Sequence, residues 1–322
     1  MPRPVMLGIV GDSGSGKTTI TRGLVRVLGE EQVTHFCTDD YHRYDRRQRA
    51  ERNITPLHPD CNHLDILAQH LAHLRNGEPI MKPVYQHTDG TFGPPEYFEP
   101  GRFVVCEGLL GFHNQELCDS FDVRVYLDPP ENLRRHWKVQ RDCSRRGYTT
   151  DQVLSELDRR EPDSSRWIRP QRQNADIIVA FQPGTTEDQD HLDCKLSLCD
   201  SLPHPDLADV VNGDEDGIVL SERQGASELY VPGQIPHERA SAIEKAIWEK
   251  MHFARHLREK RLGEFTVGID LHRSDALAVV QLLILYQLVT AKAVVTVGGS
   301  STREFDISTL EGLIAEGGHS PV

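Results

Sequence analysis

The chain has 322 residues, with 49 Asp and Glu against 36 Lys and Arg, a formal charge of −13. That length holds one large domain or two ordinary ones with ample core. The acidic balance excludes nucleic acid as a general partner, because phosphates repel such a surface. Seven cysteines stand singly with no C-x-x-C pair, which argues for reduced thiols and against a disulfide framework or a zinc site. Met1-Pro2-Arg3-Pro4 runs into a strand without a leader pattern, so a cytoplasmic protein with no membrane partner is expected.

Val5 to Val10 is apolar and reads as a buried strand. Gly11-Asp12-Ser13-Gly14-Ser15-Gly16-Lys17-Thr18 follows and fits G-x-x-x-x-G-K-[ST] at every fixed position. Ile20, Leu24, Val25 and Leu28 then recur at helical spacing, so the motif lies between a strand and a helix, the setting it needs. Glycines let the loop turn tightly, so that backbone N–H groups face phosphate oxygens at a positive helix terminus. Lys17 would reach the β- and γ-phosphates, and the Thr18 hydroxyl would sit on Mg²⁺, with Thr19 beside it. A nucleoside triphosphate is the expected ligand.

Val33 to Cys37 is a second strand candidate, ending in Thr38-Asp39-Asp40-Tyr41-His42. Ligands of open α/β sheets sit at the carboxyl ends of strands, so Asp39 stands where a catalytic acid or base belongs, although two acids there also suit a turn. The basic run Arg43 to Arg49 reads as a loop. Leu64, Leu67, Leu71 and Leu74 mark a helix over 63–76, with Asn62 placed to cap it and Gly77 to stop it. Met81 to Gly90 is extended and turn-rich without a period. Phe103-Val104-Val105-Cys106 is a strand with Glu107-Gly108 at its end, the place of a metal-supporting acid.

Val123 to Leu127 is a further strand. From Glu131 to Arg172 the chain turns basic, with eleven Arg and Lys against seven Asp and Glu. Two helices are expected there: one stops at Gly147, and the other starts in a Thr149…Gln152 capping box and stops before Pro162. A mobile basic lid over transferring phosphate charge explains this composition better than a solvated surface does. Ile177 to Phe181 is the fifth strand. Residues 184–217 are acidic and irregular and read as a connection. Beyond them come a strand at Leu229 to Val231 and a helix marked by Ala240, Ile243, Ile247, Met251, Ala254 and Leu257. A strand at Phe265 to Ile269 and an apolar helix over 276–291 capped by Ser274 follow, with a last strand at Val294 to Val297. That helix contains Gln281 and Gln287 and suits a core better than a bilayer. The expectation is an α/β P-loop protein. Its kinase domain would be 1–183 with a parallel five-stranded sheet and helices on both faces, a lid at 131–172 and a smaller α/β portion at 218–322 that supports structure or oligomerisation.

Several segments, in this order and spacing, resemble the phosphoribulokinase and uridine kinase family of P-loop kinases, in particular its phosphoribulokinase branch. They are the P-loop, Asp39-Asp40-Tyr41-His42 with Asp45-Arg46, Lys82-Pro83-Val84-Tyr85-Gln86-His87, Glu107-Gly108, Trp137 to Asp142, and Pro170 to Asp176. The resemblance implies transfer of the ATP γ-phosphate to the 1-hydroxyl of ribulose 5-phosphate, giving ribulose 1,5-bisphosphate for carbon fixation, in a homo-oligomer such as a dimer. It makes Asp39 the base, with Lys17, Lys138 and Asp142 also catalytic. Gly11, Asp12, Ser13, Gly14, Ser15, Gly16, Lys17, Thr18 and Thr19 would hold ATP together with Arg141 and Arg146. Thr18 and Glu107, with Asp142 as a further candidate, would support Mg²⁺. His42, Arg46, Tyr85 and His87 would meet the acceptor, where a planar guanidinium suits a phosphate.

A uridine kinase is the alternative enzyme, but that branch carries an aromatic and a lysine where Tyr41-His42 stand, and an uncharged nucleoside gives Arg46 little to do. A nucleotide-dependent switch is the third reading. A GTPase of that kind would show N-K-x-D, which the sequence lacks. Plant-type members of the family are switched off by a disulfide from a P-loop cysteine to one just before D-D-Y-H. Here Cys37 holds the second place and Ser15 the first, which implies that this thiol switch is missing.

Overall fold

The computed structural model describes residues 2–184, 191–208, 211, 217–251, 262–267 and 270–305. In chain order the elements are β1 (Val5–Gly11), α1 (Lys17–Leu28), β2 (Val33–Cys37), α2 (Arg46–Glu51), α3 (Leu64–Arg75), β3 (Ile80–Gln86), β4 (Thr91–Phe98), β5 (Phe103–Gly108), α4 (Gln115–Asp119) and β6 (Val123–Leu127). Then come α5 (Glu131–Arg146), α6 (Thr150–Asp163), β7 (Ile177–Gln182), β8 (Asp193–Cys199), β9 (Val219–Arg223), β10 (Ala226–Val231), α7 (His237–Lys250), β11 (Glu264–Val267), β12 (Asp270–Arg273) and α8 (Asp275–Thr296). They form two compact units. One comprises Met6–Lys17 and Glu31–Ala175; the other comprises Met1–Val5, Thr18–Glu30 and Asp176–Val322.

In the first unit the strand order is β2-β5-β1-β6, with β2 parallel to β5 and β1 parallel to β6. β1 and β5 are buried along their whole length, as expected of strands inside a parallel α/β sheet. The register sets Cys37 opposite Glu107, so the two acidic strand ends finish side by side. β3 and β4 form a separate antiparallel hairpin. The sequence hides it because Pro83 shifts the register between Lys82 and Val84, and Pro94-Pro95 interrupts β4. Prolines in strands are tolerated only at edges and bulges, so a two-stranded ribbon is where they fit.

The helix boundaries follow local chemistry with two corrections. α5 ends at Gly147 in the left-handed conformation, and Thr149 and Gln152 form the capping box of α6. α6 does not stop before Pro162: it runs to Asp163 and continues as a π-helical turn, Ser164–Ile168. Asn62 does not cap α3, whose N-cap is His63.

In the second unit β7, β8, β10 and β9 pair antiparallel in that order. The acidic stretch 184–217, expected as a connection, therefore contributes a sheet strand, β8. Its alternation Cys194, Leu196 and Leu198 is apolar and buried, a period-2 signal diluted by the acidic flanks. α8 replaces the expected strand at Val294–Val297, because its apolar run simply continues the helix to Thr296. It is long and apolar enough to cross a membrane, but its most apolar window is 94% buried inside the fold, where a spanning helix would face lipid. Ser274 caps it as expected, accepting from Leu277 N–H. Ala254, Leu257, Ile269 and the tail beyond Phe305 lie outside the described residues.

Gly108 joins the two acidic strand ends. A Cβ built there would stand 1.7 Å from Thr38 Oγ1 and 2.7 Å from its Cβ. Gly108→Ala should therefore destabilise the chain by about 1–3 kcal/mol, the usual cost of overpacking. Denaturant unfolding should show part of that loss restored when Thr38→Gly, which removes all three crowding atoms, is added in the same chain, and less of it with Thr38→Ala, whose Cβ stays 2.7 Å away.

Candidate active site

The chemistry gathers at the carboxyl ends of β1, β2 and β5. After β1 the glycine loop turns into α1, whose second and third residues are Thr18 and Thr19. Lys17 folds back, its Nζ donating to the carbonyls of Gly11 (2.8 Å) and Asp12 (2.9 Å). Burial lowers the pKa of this ammonium, and the carboxylates of Glu107, Asp12 and Asp39 oppose that shift. Lys17 is thus set among three acids. Ser15 is buried at the loop position where a thiol switch would need a cysteine. Cys37 is raised well above an ordinary thiol by burial and by Asp39 and Glu107, which keeps it protonated and unreactive.

The adjacent acids after β2 take opposite duties. Asp40 is spent on the β3–β4 hairpin: Oδ2 accepts from Lys82 Nζ at 2.7 Å and Oδ1 from Tyr85 N–H at 2.9 Å. Lys82 also donates to Pro83 O and lies 3.8 Å from Glu96. Asp39 faces the other way, with Oδ2 3.6 Å from His87 Nε2. Burial favours its neutral form, but His42, His87, Lys17 and Arg160 outweigh that and hold the carboxyl below its usual range. Asp39 is therefore ionised at neutral pH.

His42, Tyr85, His87 and Arg46, expected to meet an acceptor, pack as one cluster on the same turn and hairpin. His42 is buried, and its Nδ1 lies 2.7 Å from Asn62 Oδ1. Asn62 in turn donates to the carbonyls of Pro56 and His58, so it fixes an imidazole instead of a helix. Burial lowers the pKa of both His42 and His87, while Asp39 pulls each the other way. The Tyr85 ring stands edge-on to His42 at 4.8 Å and to His87 at 5.1 Å. Asp45 and Gln48 form a capping box that starts α2, which presents two arginines. Arg46 reaches the hairpin tip through its backbone N–H to Gly90 O and its guanidinium to His87 O. Arg49 is buried, donates to Tyr44 O and the Tyr85 hydroxyl, and lies 5.1 Å from the Tyr85 ring centre.

Glu107 is buried, with His35 Nε2 3.6 Å from its Oε1. A carboxylate and a threonine hydroxyl are hard oxygen donors. Among the described residues no three His, Cys, Asp or Glu gather into a metal cage. Such a donor set fits Mg²⁺, which keeps waters and phosphate oxygens as its other ligands.

The helix pair supplies the cations. Asp142 is locked by them: Oδ2 accepts from Lys138 Nζ (2.8 Å) and Oδ1 from Arg141 Nε (2.8 Å), with Arg146 Nη1 at 3.6 Å. Burial opposes ionisation of Asp142, but these partners hold it at about 2. Burial and Arg141 bring Lys138 down to about 8 against the pull of Asp142. Arg141 and Arg146 also act on His87, so their charge reaches the cluster around Tyr85. Four contributors were given no role by the motifs: Arg49, Asn62, Lys82, which stands inside a quoted segment, and Arg160. Arg160, held by Glu156 at 2.6 Å, adds positive field at both Asp39 and Lys138. Its place beside the expected second helix was legible, but its direction was not.

Residues 6–187 match the Phosphoribulokinase / Uridine kinase family. The chain belongs to that family. It is 40% identical over 183 residues to a phosphoribulokinase of Synechocystis sp., covering 57% of this chain and 55% of that protein. A uridine kinase of Chlamydia pneumoniae is 34% identical over 182 residues, covering 54% and 81%. The chain spans about half the length of the phosphoribulokinase relatives it matches. A solved phosphoribulokinase from Rhodobacter spheroides shares the fold at a TM-score of 0.58, over 77% of this chain and 97% of its own, with 20% identity.

The division of labour between the two acids has a measurable consequence for family members built this way. Lys82→Met leaves the Asp40 carboxylate without its buried cation and should destabilise the chain by about 3–5 kcal/mol. Asp40→Asn with Lys82→Met should unfold at higher denaturant than Lys82→Met alone. Equal midpoints would show that Asp40 does not depend on Lys82.

Proposed function

We propose that this chain transfers the γ-phosphoryl group of ATP to the 1-hydroxyl of ribulose 5-phosphate. The observation that carries the reading is Asp39: an ionised carboxylate on the Lys17 side of the glycine loop, facing His87 and the acceptor cluster. In that role Asp39 accepts the proton of the attacking hydroxyl. Lys17, Lys138 and Arg141 meet phosphoryl oxygens as charge moves between them. Asp142, with both oxygens engaged, serves by holding Lys138 and Arg141 in place. Glu107 and the Thr18 hydroxyl would hold a Mg²⁺ ion, which when bound neutralises phosphate charge.

Arg46 and His42 favour an acceptor that already carries a phosphate, and the Arg46 guanidinium suits a bidentate anion. Uridine has no charge to engage them, which supports the sugar phosphate over the nucleoside. The helix pair 131–172 acts as the lid, and the portion from 218 onward serves as structural or oligomerising support.

A coupled assay of ADP release across ribulose 5-phosphate, ribose 5-phosphate and uridine tests the reading. Ribulose 5-phosphate should give the highest kcat/KM. A preference for uridine would assign the other branch, and turnover indifferent to any acceptor would leave a nucleotide switch. With the preferred acceptor, Asp39→Asn should lower kcat by roughly 10²–10⁴ and leave KM for ATP nearly unchanged. A near-normal kcat would remove Asp39 from the chemistry.

The depressed pKa of Lys138 sets the alkaline side. An ammonium that titrates at about 8 loses its proton as pH rises past that value, so kcat should fall above about pH 8. Lys138→Arg should move that limb upward, since a guanidinium stays charged. A limb at the same pH in both proteins would assign it to another group.

A further inference from the structure

One carboxylate in the glycine loop is bound from two directions. Asp12 is buried, and its Oδ1 accepts from Ser13 N–H at 2.6 Å, which shapes the loop locally. Its Oδ2 accepts from the hydroxyl of Ser164, a buried residue that opens the π-helical turn after α6. Arg134, in the first turns of α5 and buried, lies 3.5 Å from Asp12 Oδ1 and donates to Ser13 O at 2.8 Å. α5 presses on the loop at the same place: a Cβ at Gly14, whose φ is +88°, would meet Lys138 Cβ at 3.0 Å and Arg134 O at 3.2 Å. Glu131 fixes the far edge of the Arg134 guanidinium at 2.7–2.8 Å, so that side chain has one orientation.

We propose that Asp12 and Ser164 are positioning residues that tie both roots of the α5–α6 helix pair to the nucleotide loop. The first root is held through Arg134 and the second through Ser164. An aspartate placed in a loop that receives phosphates would repel them; here Arg134 offsets its charge and Ser164 adds a hydrogen bond. The π-helical turn gives the geometric reason for Ser164. It follows Pro162, and such turns recur where a helix is bent to place a functional residue. Thr55 adds a neighbouring anchor, donating to Asp163 at 2.6 Å. The loop's shape and the order of the pair's two roots therefore depend on the same carboxylate.

This inference rests on the reading of the loop as an ATP site, and the experiment separates the two. Hydrogen exchange of the full chain without nucleotide is compared for the unaltered protein, Ser164→Ala, Ser164→Thr and Asp12→Asn. Ser164→Ala should speed exchange at 160–168 and also at 131–138, although no residue there is altered; Ser164→Thr, which keeps the hydroxyl, should restore protection in both. The dissociation constant of a non-hydrolysable ATP analogue should rise about tenfold in Ser164→Ala, the size of one charge-assisted hydrogen bond. KM for the acceptor should stay the same. Exchange changes confined to 160–168, or protection and affinity unchanged in both Ser164→Ala and Asp12→Asn, would overturn the proposal. An unaltered chain that fails to bind the analogue would overturn the ATP reading, and the exchange comparison would still decide the tether.

Discussion

The site is built around the cost of burying negative charge. Asp12, Asp39, Asp40 and Glu107 all stand at the carboxyl ends of neighbouring strands, three of them within electrostatic reach of Lys17. An isolated carboxylate taken out of water is strongly disfavoured, so each must be matched. Arg134 and Ser164 answer Asp12, Lys82 and the Tyr85 N–H answer Asp40, and His35 stands beside Glu107. Asp39 is matched by several partial donors, His87 at 3.6 Å among them, with Lys17 and Arg160 adding field. In the proposed reading, this carboxylate, held ionised by field, takes the proton of the incoming hydroxyl.

That logic also explains what the sequence could and could not disclose. The loop Gly11–Thr18, the capping box at Thr149 and the stop at Gly147 are legible because each is decided by a few adjacent residues. The position of Asp39 was legible for the same reason: it follows a strand that reads as a strand. The roles of Asp40 and Asn62 were not, since they depend on residues 42 and 20 positions away. Asn62 before a leucine-spaced helix is a sound capping signal, but a buried imidazole with an unsatisfied Nδ1 competes for the same amide oxygen. The β3–β4 hairpin was lost because prolines break the period that strands are read by. Ser164 carried no local signal at all: it is one of two serines after a proline, and its partner lies 152 residues earlier.

The two units differ in how much they constrain the sequence, and this fits the reach of the family relationship. The match in sequence ends at residue 187, while the likeness of fold to the solved phosphoribulokinase extends over 77% of the chain at only 20% identity. In the first unit, side chains are fixed by charge matching and by hydrogen-bond direction, which few substitutions preserve. In the second, α8 is buried on nearly every side and needs only apolar volume of the right size. The inward face of β8, Cys194, Leu196 and Leu198, needs only apolar alternation. Such positions accept many residues while the backbone stays the same, so resemblance in sequence fades before resemblance in shape. The two buried amides of α8 show where that tolerance ends: Gln281 accepts from Gly263 N–H and Gln287 donates to Pro203 O. Each satisfies a backbone group of a neighbouring segment, which makes them the helix positions where apolar volume cannot stand in.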